Sequence, residues 1–470
     1  MSDSKKNKLD ELREKLFAKN ETAFSEKYDI TDADSFCEGY KAYLDIGKTE
    51  RLCVKEAIRL AEAKGFVPYE RGKALKAGDK IYRNNRGKSI ILAVIGQKSM
   101  NCGINLAAAH IDSPRVDLKQ SPLYESEGLC LFKTHYYGGV KKYQWPAIPL
   151  ELHGVVALKS GEVVDVSIGN SPDDPVFVIT DLLPHLGKDQ MAKKATDVIS
   201  AESMNILCGS RPIDGAKDSD SDAVKLNIMK ILNEKYGIVE EDFLSAELSA
   251  VPAFSARDIG LDRSMIGAYG HDDRVCAYPS LRALLDLDTP ERTAVCILAD
   301  KEEIGSEGVS GMKSHFFETF IEDICDTDNS LLRECFENST CLSTDVMVAM
   351  DPNYPEVCEK KNTAFINRGI TLCKYTGARG KSGSSDASCE LIAKLRALFD
   401  DNGILWQMGS LGKVDQGGGG TVAMYMAERN IETIDAGVPV LSMHSPYETV
   451  AKADVYMTYK AILTFFEKNR

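Results

Sequence analysis

Residues 104–114 read Ile104-Asn-Leu-Ala-Ala-Ala-His-Ile-Asp-Ser-Pro114. A short apolar run closed by proline is the pattern of a buried strand, and this one delivers a histidine and an aspartate just where it ends. Upstream, Ile90 to Ile95 reads as a second buried strand. The stretch from Leu9 to about Ala63 reads as helical: Leu9, Leu12, Leu16 and Phe17 share one face, and Cys53, Ala57, Ile58 and Ala61 repeat the spacing. Downstream of Pro114 the texture changes. Residues 115 to 183 carry clusters of β-formers (Leu129 to Phe132, Val155 to Leu158, Val176 to Ile179) separated by turn residues such as Ser160-Gly161. A polar stretch from Gly209 to Asp222 reads as an exposed loop, and Val224 to Tyr236 as an amphipathic helix.

From about residue 245 strands and helices alternate again. Val295 to Ala299, Val346 to Met350 and Val438 to Met443 read as strands. Cys389 to Phe399 and Ala451 to Glu467 read as helices. Such alternation implies a mostly parallel sheet flanked by helices. The expected organisation is therefore a discontinuous α/β domain built from residues 1–114 and 245–470, interrupted by a β-rich insertion over 115–244.

Composition narrows the function classes. The 470 residues are 43% hydrophobic and 27% charged, an ordinary globular balance. A formal charge of −14 argues against a nucleic-acid partner, which needs a basic surface. No apolar run is long enough to span a membrane, and the opening Met-Ser-Asp-Ser-Lys-Lys-Asn-Lys lacks the apolar centre of a secretory signal. The thirteen cysteines form no Cys-x-x-Cys pair and read as reduced thiols. A cytoplasmic protein acting on a small molecule or peptide is the expectation.

Metal-capable residues then stand out by position. His110 follows its strand, Glu302 and Glu303 follow Val295 to Ala299, and His444 follows Val438 to Met443. Ligands of open α/β sheets gather at the carboxyl ends of strands. Gly270-His-Asp-Asp-Arg274 adds an acidic pair opening a helix, and Asp345 lies beside another strand. Each feature also has a plainer reading. A strand-end histidine can be a satisfied hydrogen-bonder, Asp272 and Asp273 can cap a helix, and the glutamates can be a solvated turn. Their conjunction outweighs these. Imidazole and carboxylate suit zinc, cobalt or manganese. In a two-metal hydrolase one carboxylate bridges ions roughly 3.5–4 Å apart, and another, not a ligand, moves the proton of the attacking water.

With Ala109-His-x-Asp-Ser-Pro114, Asp300-x-Glu-Glu-Ile-Gly-Ser306 and Met443-His-Ser445 in this order, the chain resembles the aspartyl aminopeptidase family of cocatalytic metallo-aminopeptidases. The resemblance runs over nearly the whole chain, including Lys141-Lys-Tyr-Gln-Trp-Pro146. It implies a zinc-exopeptidase-like domain with an inserted dimerisation domain, and two divalent ions per subunit. It also implies dimers assembled into a tetrahedral dodecamer, and removal of the amino-terminal residue from short peptides. It would give His110, Asp272 and Asp345 to one ion. Asp272 would bridge to a second ion, held also by Glu303 and His444. Glu302 would be the general base, and Asp112 would orient His110.

The chain departs from the family at Val348 and Asp351, where many members carry histidines. It departs again at Ala147, the local match for a histidine lent by a neighbouring subunit, which leaves His135 and His153 as substitutes or as structural residues. Lys374 and Arg379 are the basic candidates for an acidic substrate side chain. Gly417-Gly-Gly-Gly-Thr421 lacks the Gly-Lys-Ser/Thr of a phosphate loop, and around Gly419 it reads either as a close backbone approach to substrate or as a plain flexible turn. Two rivals remain at this stage: a two-metal carboxypeptidase or deacylase, and a non-catalytic assembly protein that keeps the fold.

Overall fold

The computed structural model describes residues 8–18, 21–217, 219–377 and 379–470. The buried strand of the opening motif, Asn105–His110, lies in the middle of a nine-stranded sheet. Ala294–Ala299, Asn105–His110, Thr340–Ser343 and Glu432–Gly437 run parallel at its centre. Antiparallel neighbours flank them, Ser89–Val94 on one side and Ile370–Cys373 on the other. Every residue of Ser89–Val94, Asn105–His110 and Ala294–Ala299 is buried, because helices cover both faces.

Alternate residues divide between two cores. Leu92, Ala107, Ala109, Cys296 and Leu298 face the helices Ala33–Ile46, Glu50–Glu62, His271–Leu285, Cys389–Asp401 and Lys452–Lys468. Ile91, Ala93, Leu106, Ala108, Val295 and Ile297 face Phe316–Asp328, Leu332–Glu337 and Ala423–Ala427.

A second, seven-stranded sheet is antiparallel throughout and takes all its strands from between Arg115 and Pro252. Its core holds Trp145, Phe132, Leu150 and Phe243, with the helix Ala223–Tyr236 packed against it. The strand Ala246–Pro252 pairs with both Leu150–Ala157 and Arg115–Ser126, so this sheet extends past residue 244. The polar stretch before the helix is turn and coil; Asp218 within it lies outside the described residues.

A third sheet, of five short strands, was not expected. It orders Arg257–Ile259, Met265–Ala268, Glu448–Ala451, Pro439–Leu441 and Met347–Val348. Two sequence-based strands change place as a result. Val346 to Met350 shrinks to Met347–Val348, and Val438 to Met443 shrinks to Pro439–Leu441, both in this third sheet; the main-sheet strands are the preceding Thr340–Ser343 and Glu432–Gly437. Proline at 439 has no N–H for a sheet interior, which fits a chain changing sheets there. The helical stretch Leu9 to Ala63 resolves into Lys8–Leu16, Ala33–Ile46 and Glu50–Glu62. The first of these turns its apolar stripe outward, with Leu9 58% and Leu16 64% exposed.

Candidate metal centre

Three adjacent parallel strands end at one place. Ala299 pairs with His110, and Ser343 with Ala108. A few residues further along each strand the chain has reached His110 to Asp112, Glu302-Glu303 and Asp345. The strand-end layout therefore holds for those segments. It does not hold for His444, which sits in the turn between Pro439–Leu441 and Glu448–Ala451 of the third sheet, and Asp272 opens the helix that follows Met265–Ala268 of the same sheet. The two sheets meet at Gly437. A Cβ there would lie 1.9 Å from the Asp345 carbonyl oxygen, so only glycine lets the Asp345 backbone pass.

Asp272 is the hub. Its Oδ1 lies 3.1 Å from His110 Nε2 and its Oδ2 lies 3.1 Å from His444 Nε2. His110 Nε2 is also 3.8 Å from Asp345 Oδ1 and 3.8 Å from Glu302 Oε2, while His444 Nε2 is 3.6 Å from Glu303 Oε2. The structure thus brings together all six residues His110, Asp272, Glu302, Glu303, Asp345 and His444. The other imidazole nitrogens are fixed. His110 Nδ1 donates to the Asp112 carbonyl at 3.0 Å, and His444 Nδ1 to the Gly139 carbonyl at 2.9 Å. A carbonyl oxygen only accepts, so both Nδ1 atoms carry a proton and both Nε2 atoms face the cluster.

Asp112 does more than orient His110. Its Oδ1 accepts the Glu302 N–H at 3.1 Å and its Oδ2 the Glu303 N–H at 3.2 Å, so the glutamate turn hangs on this carboxylate. Three residues that the sequence reading gave no role also enter. Glu448, fully buried, accepts the Asp272 N–H at 3.1 Å and the His444 N–H at 2.7 Å. Asp273 accepts the His110 N–H at 3.3 Å. Tyr137 donates to Asp112 Oδ2 at 2.8 Å. Glu448 lies four residues past His444, and only its long-range partners reveal it.

The electrostatics call for cations. Burial disfavours a charged imidazole, yet hydrogen bonds from its ring to the Asp112 and Asp272 carboxylates raise His110 well above its ordinary pKa, and Asp272 and Glu303 lift His444 to about 10. Burial, with neighbouring acids adding to it, pushes Glu303 and Asp345 well up, and Glu302 up to about 7. Asp272 goes the other way: burial would raise it, but its two histidine partners hold it low. Glu303 Oε1 and Asp273 Oδ1 are buried with no hydrogen-bond partner. Such oxygens are costly unless something positive satisfies them. Ligand atoms of His110, Asp272 and Glu303 lie within 4.8 Å of one another, as do those of His110, Asp273 and Asp345. Two overlapping nitrogen-and-oxygen donor sets of this kind fit divalent ions.

Comparison with known proteins is decisive. Residues 43–466 match the family model described as "Aminopeptidase I zinc metalloprotease (M18)". A probable M18 family aminopeptidase 1 of Clostridium acetobutylicum is 49% identical over 451 residues, covering 94% of this chain and 97% of the relative. A namesake from Thermotoga maritima is 45% identical over 442 residues, covering 93% of this chain and 96% of the relative.

The chain belongs to the M18 family.

Like these M18 proteins it is a metallo-aminopeptidase, a hydrolase of peptide bonds; neither the carboxypeptidase or deacylase reading nor the non-catalytic one is favoured. The M18 fold extends over the chain's length. The crystal structure of the Thermotoga maritima M18 aminopeptidase superposes with a TM-score of 0.92 at 44% identity, covering 96% of this chain and 100% of that one. The aminopeptidase I of Clostridium acetobutylicum gives 0.89 at 45% identity, again covering 96% and 100%.

Of the three candidate substrate residues of this M18 chain, Lys374 and Gly419 bond to residues outside the cluster. Lys374 Nζ lies 3.8 Å from Asp386, Arg379 is exposed, and the Gly419 carbonyl accepts the Gly377 N–H at 2.8 Å. Val348 and Asp351 are half-buried, and no helix among the described residues is long and apolar enough to cross a membrane.

Proposed function

We propose that this aminopeptidase removes the amino-terminal residue of short peptides at a site for two divalent ions, zinc by preference. His110, Asp272 and Asp345 would hold one ion; Asp272, Glu303 and His444 would hold the other, with Asp273 beside the first. The single observation that carries this is the Asp272 carboxylate, one oxygen 3.1 Å from each histidine Nε2, as a bridging ligand requires. Ions held by these residues would supply Lewis acidity, polarising the scissile carbonyl and acidifying the attacking water. Glu302 takes the proton of that water and hands it to the leaving amine. Burial raises its pKa above that of an ordinary glutamate, which suits both acceptance and donation near neutral pH. Asp112 keeps the Glu302 backbone and the His110 ring in place for that transfer. Lys374 and Arg379 would favour an acidic amino-terminal side chain, and Gly419 would let backbone approach the peptide.

The inserted β-rich unit is read as a dimerisation domain, in a homo-oligomer built up to a tetrahedral dodecamer. Leu182, Leu183, Leu186 and Met191 stand exposed together on it, a surface that an assembly would bury. A distant structural neighbour, the yeast mApe1 at 22% identity, is itself described as a dodecamer. Thirteen free cysteines suit the reducing cytoplasm. The test is a panel of aminoacyl substrates with free and blocked amino termini, after reconstitution with zinc, cobalt or manganese, alongside metal analysis. Turnover of free amino termini only, at two ions per chain, is expected. Cleavage of blocked substrates, or one ion per chain at saturation, refutes it.

A further inference from the structure

The chain leaves the main sheet at Pro114, runs out along Arg115–Ser126 and returns along Leu129–Tyr137. In the register of this hairpin Tyr137 lies opposite Arg115. That cross-strand pair is stacked, with the Arg115 guanidinium 4.0 Å from the centre of the Tyr137 ring. Arg115 is buried and anchored, to Glu50 at 3.1 Å and to Asp117 at 2.8 Å. The hairpin thus presents Tyr137 at a fixed position, and the next two residues cross the metal centre.

Each of the three touches a different member of it. The Tyr137 hydroxyl donates to Asp112 Oδ2 at 2.8 Å, beside the Glu303 N–H on the same oxygen. Gly138, at φ +74°, passes between Pro114 and Glu303; a Cβ on it would lie 3.2 Å from Glu303 Oε2 and 3.4 Å from Pro114 Cα. The Gly139 carbonyl accepts the His444 Nδ1 proton at 2.9 Å. That acceptor holds a proton on His444 Nδ1 and leaves Nε2 facing Asp272.

We propose that Tyr137, Gly138 and Gly139 form a positioning strap through which the inserted sheet sets the geometry of the metal centre. The inference rests on the ligand reading above and deepens it. The strap braces the Asp112–Glu302–Glu303 turn from one side and locks the His444 tautomer from the other. Folding of the insertion and assembly of the site are thereby linked through one hairpin.

The experiment compares Tyr137→Phe and Gly139→Ala with wild type in the full chain. It measures kcat, KM, melting temperature and zinc affinity by competition with a chromogenic chelator. Tyr137→Phe keeps the ring over Arg115 and removes only the hydroxyl. It should lower kcat about 10–100-fold with KM and melting temperature unchanged. Gly139→Ala keeps the carbonyl but sets a Cβ 3.0 Å from His444 Nδ1; zinc affinity should fall about tenfold at one of the two sites. Wild-type kcat and zinc affinity in both variants overturn the strap. So does a rise in KM alone, or activity lost only in step with a collapsed melting temperature. Glu302→Gln, run alongside, separates the two readings: its full activity would remove the proposed base while the zinc-affinity readout still judges the strap.

Discussion

Two histidines reach Asp272 from opposite ends of its carboxylate, and each is oriented by a carbonyl behind it, so the roles of single residues can be separated by what their loss leaves standing. Glu302 faces His110 Nε2 at 3.8 Å without being needed to hold it. Glu302→Gln should therefore cut kcat by about 10²–10⁴-fold while metal content, read by mass spectrometry, stays at the wild-type value. The base acts only as a carboxylate, and burial lifts its pKa from an ordinary 4.5 to about 7. Cations nearby pull it back down. Activity should thus be full on the alkaline side and fall on the acid side, with the kcat/KM midpoint between those two values; a midpoint above 7 would assign the limb to another group. Glu448 is one of the residues that local reading missed. Glutamine there offers one acceptor where two backbone N–H groups, of Asp272 and His444, now find one each. Glu448→Gln should weaken metal binding about 10–100-fold, as losses behind a ligand usually do, measured by chelator competition.

At the scale of elements, the centre is where two sheets meet. The parallel strands ending at His110, Ala299 and Ser343 supply one half, and the short third sheet supplies Asp272 and His444. Two strand ends on the main sheet were legible because they are local: the apolar runs before His110 and before Glu302-Glu303 mark buried strands, and those residues follow within a few positions. The third sheet was not legible. Met347–Val348 and Pro439–Leu441 are too short to show a period, and the apolar runs around them read as main-sheet strands in place of Thr340–Ser343 and Glu432–Gly437. The crossing at Gly437 is what keeps the two sheets in register at the site. Gly437→Ala would drive a methyl into the Asp345 carbonyl. Overpacking of this sort costs about 1–3 kcal/mol, and it should show as a lowered melting temperature together with weaker metal binding; a stable variant with wild-type affinity would mean the backbone adjusts without moving Asp345.

For the whole molecule, a cluster this acidic should be linked to its ions. Anything that binds the folded state and not the unfolded one stabilises it by mass action. Dialysis against a strong chelator should abolish peptidase activity and lower the melting temperature, and zinc should restore both. If the chelated protein melts where the loaded one does, the cluster does not bind cations tightly enough to matter. Light scattering tests the assembly: a dodecamer would weigh twelve chains of 51.6 kDa.

The sequence by itself determined the chemistry available. The residue types, their order and the motifs resembling the aminopeptidase family already named His110, Asp272, Glu302, Glu303, Asp345 and His444, because side-chain chemistry and short motifs are written locally. Only the tertiary structure decided which sheet carries each of them, that Asp112 holds the glutamate turn as well as His110, and that Glu448, Asp273 and the Tyr137 hairpin stand behind them. Those facts depend on hydrogen bonds between segments separated by tens to hundreds of residues. Such bonds form only once burial of the two cores has met the entropy of closing the chain, and they leave no local pattern to read.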